Sequence, residues 1–195
     1  MIHGYQLTIA IAIVIIVFFV LDFYYMAKYD HERKTEKKGW GLDYTLFAIA
    51  FGCILFLQPI ILPKLGWTTS AFPGLLLQIF GIVLIILGFA LHNWARAHLR
   101  QFYVERVEVQ EQHKIIETGP YALMRHPVFT AFFLLAWGVF FLNPAITTIL
   151  SLVYVLWDFS KSARQEESLL SKEVPGYSEY MAKVPRFFPR LFRVS

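Results

Sequence analysis

The sequence predicts an all-α integral membrane protein of about five transmembrane helices, the last two a short hairpin, with a cytoplasmic C-terminal helical lobe. Three observations predict it. The chain has 195 residues, 57% hydrophobic and 16% charged, with a mean hydropathy of +0.52; a soluble domain carries about 45–50% apolar and about 25% charged residues. The apolar residues fall in long runs. The Lys and Arg residues fall almost wholly in alternate connections between those runs. This balance excludes a disordered chain, a nucleic-acid-binding module and an ordinary cytosolic enzyme.

The first three runs cover residues 6–26, 44–62 and 72–94, each near the roughly 20 residues that cross a bilayer as helix. No Lys or Arg precedes the first run, and no small-residue cleavage site follows it. It continues into Asp22, Phe23, Tyr24 and Tyr25, an interfacial aromatic belt, and reads as a retained helix. Two shorter runs, 127–142 and 145–159, are divided by Asn143-Pro144, a turn signal. At about 1.5 Å per residue each reaches only about 22–24 Å, so the pair is either two short tilted spans or a hairpin that stops short of the far face, and in both cases the chain returns to its side of origin.

Counted through the connections, Lys and Arg number 0, 5, 1, 5, 0 and 7, which accounts for all 18. That alternation places the N-terminus outside and the C-terminus in the cytoplasm, in a bacterial inner membrane or the endoplasmic reticulum. The basic loops need no partner beyond the lipid bilayer, whose anionic headgroups attract each such residue by about 1 kcal/mol; nothing calls for nucleic acid. The single Cys53 excludes an intramolecular disulfide and a Cys-rich zinc site, and reads as a small buried hydrophobe.

Polar chemistry is concentrated in the second half. The third run ends in His92, Asn93, Trp94, Ala95, Arg96, Ala97 and His98. Neither histidine has partners at zinc-ligand spacing, so both read as interfacial or capping residues, and no metal site is expected. The connection 101–124 is long enough to be functional, and its Val107, Val109, Ile115 and Ile116 with the Gly119-Pro120 turn predict an ordered loop. It leads into Arg125-His126-Pro127. Proline suits the first turn of a helix, so Arg125 and His126 sit at the N-terminal mouth of the fourth helix, where free N–H groups attract anions. Arg125 has two readings: an anion-orienting residue, or one that snorkels to headgroups. After the fifth run, the helix continues through Arg164, Glu166 and Glu167. Adjacent carboxylates point about 100° apart, so the two glutamates cannot face one ligand equally. Their bland reading is a solvated helix face; their functional one is a ligand-binding carboxylate.

In order along the chain stand His113-Lys114-Ile115-Ile116, Gly119-Pro120-Tyr121, Arg125-His126-Pro127, Asn143-Pro144, Arg164-Gln165-Glu166-Glu167, Tyr177 with Tyr180, and Pro185-Arg186-Phe187. This series resembles the isoprenylcysteine carboxyl methyltransferase family, within the wider phospholipid and isoprenylcysteine methyltransferase group, over roughly residues 90–190. The resemblance implies S-adenosyl-L-methionine as cofactor, held in a cytoplasm-facing pocket, and a lipophilic small-molecule or prenylated acceptor, a carboxylate in the first place. It implies cofactor contacts from Gln110, His113, Lys114, Ile115, Ile116, Tyr121, His126, Pro127, Val128, Phe129, Glu166 and Glu167. Arg125 is the candidate catalytic residue and Arg164 the candidate substrate-binding one. Residues 1–95 would then form a three-helix scaffold, and residues 96–195 the cofactor-binding loop, hairpin and C-terminal lobe. Two positions depart from the family's Arg-His-Pro-x-Tyr-x-Gly: Phe129 lacks the hydroxyl, and Ala131 adds a methyl. The competing readings are an NADPH-dependent membrane reductase related to sterol reductases, and a non-catalytic relative.

Overall fold

The computed structural model describes residues 4–29, the helical positions 53, 57, 60, 61 and 64, and residues 74–99 and 115–189. Those residues form helices and no strand. In chain order they are α1 (Gly4–Tyr29), α2 (Leu75–Leu99), a 3₁₀ turn (Gly119–Ala122), α3 (Pro127–Leu142), α4 (Ile146–Glu173) and α5 (Tyr177–Lys183). α1 and α2 are long and apolar enough to cross a membrane, and α3 is a shorter apolar helix. Most of the expected second span, 44–62, lies outside the described residues. Cys53 is exposed, contrary to the expected burial. Ile9, Ile13, Ile16 and Val20 of α1 and Leu76, Val83 and Ile86 of α2 are likewise turned outward.

α2 and α3 make the most extensive helix pair. The buried side of α2 is Gln78, Gly81, Ile85, Gly88, His92 and Ala95. Opposite it lie Val128, Ala131, Leu135, Gly138 and Leu142 of α3. Both series step alternately by three and four residues, the period of a left-handed helix seam. Small residues let the backbones touch. A Cβ placed on Gly81 would stand 2.7 Å from the Gly138 carbonyl oxygen, and one on Gly138 would stand 2.8 Å from that of Gly81. Without a hydrophobic force between helices in lipid, such close packing supplies the attraction. Ala131 is fully buried in this seam. Gly88 faces it: a Cβ there would lie 3.1 Å from the Ala131 carbonyl oxygen. The added methyl therefore belongs to the helix interface.

α1 joins through Leu7 and Ile11, which share a core with Ile85, Leu135 and Leu142. His92 differs from its expected interfacial place. It is fully buried, with its ring 5.2 Å from that of Phe18 and 5.8 Å from that of Phe132. A histidine at a seam position is carried inward by the helix period, whatever its polarity. His98 is the capping residue expected, its Nδ1 lying 2.9 Å from the Trp94 carbonyl oxygen.

The Asn143-Pro144 signal is a tight turn between α3 and α4. The Thr148 hydroxyl holds it, accepting from the Ala145 N–H at 2.9 Å and donating to the Asn143 carbonyl at 2.8 Å. α4 then runs unbroken for 28 residues, about 42 Å at 1.5 Å per residue. A Gly81→Ala or Gly138→Ala variant forces the two backbones apart. Each is expected to cost about 1–3 kcal/mol, typical of overpacking, with Gly138→Leu worse; thermal unfolding in nanodiscs measures it.

Candidate active site

Four chain segments meet at the mouth of α3. His126 is its N-cap and Pro127 its first residue. The Arg125 and His126 N–H groups donate to the carbonyls of Pro185 and Arg186, both at 2.9 Å. The Thr130 hydroxyl lies 3.0 Å from the His126 carbonyl and 2.7 Å from that of Phe187. Residues 184–189 thus lie across the helix start as a strap, and supply carbonyl acceptors to N–H groups that a helix N-terminus leaves without partners.

At the centre is Glu167 of α4, whose side chain is 4% exposed. Its Oε1 accepts from Arg125 Nε at 2.9 Å, and Arg125 Nη2 lies 2.8 Å from the same atom. His126 Nε2 is 3.1 Å from it. Its Oε2 accepts from Arg186 Nη2 at 2.5 Å and from Arg186 Nε at 3.0 Å. Burial alone would raise this carboxyl's pKa, but hydrogen bonds from His126, Arg186 and Arg125 hold it well below the usual carboxylate range. Of the two readings of the glutamate pair, the solvated helix face does not hold for Glu167, because α4 turns it inward with Ala163 and Leu170.

Glu166 is turned away, with 36% of its side chain exposed, and its Oε2 lies 3.5 Å from His126 Nδ1. The imidazole thus stands between two carboxylates. Burial pulls its pKa down, yet the hydrogen bonds to Glu166 and Glu167 outweigh that and leave it above the ordinary value. The ring is stacked on Phe129, centroids 5.3 Å apart and planes 3° from parallel. Phe129 stacks in turn on Phe159 at 5.1 Å. Phe129 keeps its ring function here without a hydroxyl.

The Arg125 guanidinium is engaged within the protein. Its side chain is 8% exposed, and Nη1 donates to the carbonyls of Met181 (2.8 Å) and Val184 at the end of α5. With Nε and Nη2 on Glu167, every guanidinium nitrogen has a protein acceptor. The cause is local: α5 ends at this point, and its last carbonyls need donors.

Of the other expected residues, Ile116, Tyr121 and Val128 pack with Ala95, Phe129 alongside, and Ile115 packs against Leu170, Val174, Tyr177 and Tyr180. The Tyr180 hydroxyl donates to the Tyr121 carbonyl at 2.6 Å, which ties α5 to the 3₁₀ turn. Burial pushes the phenols of Tyr177 and Tyr180 up; Glu166 and Glu167 push Tyr177 further. Gln110, His113 and Lys114 lie outside the described residues. Arg164 does not join the cluster. Two residues along a helix rotate it about 160° from Glu166, onto an open cavity of about 400 Å³ shared with Lys161, Gln165, Ser168, Leu169 and Lys172. Arg186 is the member that sequence reasoning did not pick out. Its signal was its place in Pro185-Arg186-Phe187, but no spacing links residue 186 to residue 167.

Among the described residues, the fold and site together define a class: a helical bundle, two of whose helices are long and apolar enough to cross a membrane, with a buried arginine–histidine–glutamate cluster at one polar mouth. Residues 81–172 match the profile of the isoprenylcysteine carboxyl methyltransferase family. A solved structure of a eukaryotic intramembrane Ras methyltransferase of that name is similar with a TM-score of 0.71 and 22% identity, covering 95% of this chain and 67% of the other; the likeness shows the fold. The chain is 35% identical over 115 residues to a probable protein-S-isoprenylcysteine O-methyltransferase of Oryza sativa, covering 56% of this chain and 59% of the relative. It is also 35% identical over 80 residues to the nickel-cobalt-cadmium resistance protein NccN of Alcaligenes xylosoxydans xylosoxydans, covering 40% of this chain and 37% of the relative. The chain thus spans less than two thirds of the length of either relative.

The cluster makes two predictions. Glu167→Ala leaves buried cations without their carboxylate and is expected to cost about 3–5 kcal/mol, read from thermal unfolding. Stability also depends on pH from both sides. His126, raised in the fold, stabilises fully below its unfolded value of about 6.5, and that share is lost as pH climbs through the folded value. Glu167, depressed in the fold, stabilises above about 4.3 and loses that share only as pH falls through its much lower folded value. Unfolding temperature against pH should show both limbs, with the acid limb missing in Glu167→Gln.

Proposed function

We propose that the chain is an integral membrane methyltransferase that uses S-adenosyl-L-methionine and acts on a lipophilic acceptor, a carboxylate of the isoprenylcysteine kind. In this reading it has about five spans, an outer N-terminus, and its α3 mouth and C-terminal lobe on the cytoplasmic side. The observation that carries it is the half-exposed Glu166 beside the buried His126–Glu167 pair, within a segment that matches the family.

The residues present fit the cofactor. Glu166 has one carboxylate oxygen beyond its His126 contact, suited to ribose hydroxyls or an ammonium group. Backbone at Ile115 and Ile116 and the edge of Tyr121 suit the adenosine. The bound cofactor supplies an electrophilic methyl on a sulfonium centre. The chain's own work is alignment and exclusion of water. Orientation is worth up to about 7–11 kcal/mol when the nucleophile lies in line. A carboxylate acceptor is already a nucleophile at neutral pH and asks for no general base. Phe129, Phe159 and Phe133 provide an apolar wall beside the mouth. Arg125, wholly engaged by Glu167 and α5, serves by holding the mouth together.

Calorimetry on nanodisc-embedded protein tests the reading. S-adenosyl-L-methionine is expected to bind, and Glu166→Ala or His126→Ala to weaken it at least tenfold, about 1.4 kcal/mol. Binding of NADPH alone would move the chain to the reductases. Binding of neither by folded protein would overturn the enzymatic reading.

A further inference from the structure

The two oxygens of Glu167 have divided duties. Oε1 takes Arg125 and His126, from the start of α3. Oε2 takes Arg186, from the strap. Arg186 Nε also reaches Oε1, at 3.1 Å. The strap is fixed independently of this pair, by the backbone bonds from Arg125 and His126 to Pro185 and Arg186. Phe187 fixes it too, edge-on to Phe133 at 5.0 Å. Arg186 is thus delivered to Glu167 by a rigid connection, with 35% of its side chain still exposed.

We propose that Arg186 is a positioning residue of the candidate site: by occupying Oε2 of Glu167 it confines His126 to Oε1 and leaves the far edge of the imidazole facing Glu166. The strap is then part of the site and not a tail laid over it. Among the described residues, the charged and titratable groups around His126 are Arg125 before α3, Glu166 and Glu167 on α4, Arg186 on the strap, and Tyr177 of α5, which feels both glutamates. Removing Arg186 takes a cation from Glu167 without taking away a direct partner of the imidazole. Without it Glu167 loses a cation, and His126 becomes a larger share of its compensation.

The inference rests on the methyltransferase reading for its activity readout only; a titration without cofactor tests it separately. In nanodiscs, isotope-labelled histidine reports the His126 pKa by NMR in the full chain and in Arg186→Gln and Arg186→Lys. The expected result is an upward shift in Arg186→Gln and a smaller upward shift in Arg186→Lys, which keeps the charge but not the two-oxygen grip. Mere loosening exposes the ring and moves the pKa down toward 6.5, so a fall, or no change, overturns the proposal. If Arg186→Gln does not fold, Arg186→Lys carries the test, since a single-point ammonium cannot hold Oε2 and Oε1 together; an upward shift, smaller than a lost charge would give, supports the proposal and an unchanged or lower value overturns it. Where S-adenosyl-L-methionine binds, Arg186→Gln is expected to raise its KM at least fivefold, with kcat changed less and the pH profile moved in the same direction as the titration. Absence of cofactor binding in the parent would sink the methyltransferase reading and leave the titration result standing.

Discussion

One carboxylate holds the polar end of this molecule together. Glu167 receives the residue before α3, the N-cap of α3 and the strap beyond α5, while itself standing on α4. A lone buried carboxylate would be neutralised or expelled. Surrounded by two guanidinium groups and an imidazole it stays ionised, and its charge is the reason those elements converge. Buried ion pairs gain little net stability over an apolar substitute. Their geometry is demanding, however, and here it specifies where the strap crosses and which edge of His126 is left over. Glu166, one residue away and turned about 100° round the helix, inherits an environment built by its neighbour.

The apolar half obeys a different rule. Lipid offers no hydrophobic reward for helix association, so contact depends on fit. Gly81 and Gly138 bring the α2 and α3 backbones together, and Gly88 makes room for Ala131. The departures from the family motif at the mouth are therefore of two kinds. Ala131 is a packing change matched on the opposite helix. Phe129 is a ring stacked between His126 and Phe159, where flat apolar contact is what the geometry uses.

Helices were legible in the sequence wherever length and hydropathy alone decide: α1, α2 and α3 end within a few residues of their apolar runs, and Asn143-Pro144 marks the turn. The mouth of α3 was legible from Pro127. The partners of Glu167 were not. Nothing local distinguishes Glu166 from Glu167; only the packing of Ala163 and Leu170 reveals which one faces inward. Arg125 stands two residues before a proline and Arg186 directly after one, and either could serve lipid, ligand or protein until the fold brings residues 125, 167 and 186 together. His92 misled for the same reason: its polarity suggests an interface, while its place in the three-four period sends it inside. Most of the second span and the residues Gln110, His113 and Lys114 fall outside the described residues.

α4 carries Phe159 and Glu167 on one unbroken helix, eight positions apart, or about 12 Å. No proline, glycine or turn interrupts it between the apolar stack and the ion cluster. A rod of that kind transmits rotation without slack. A lipophilic molecule that wedged against Phe159 and turned the membrane end of α4 would turn the carboxylates by the same angle.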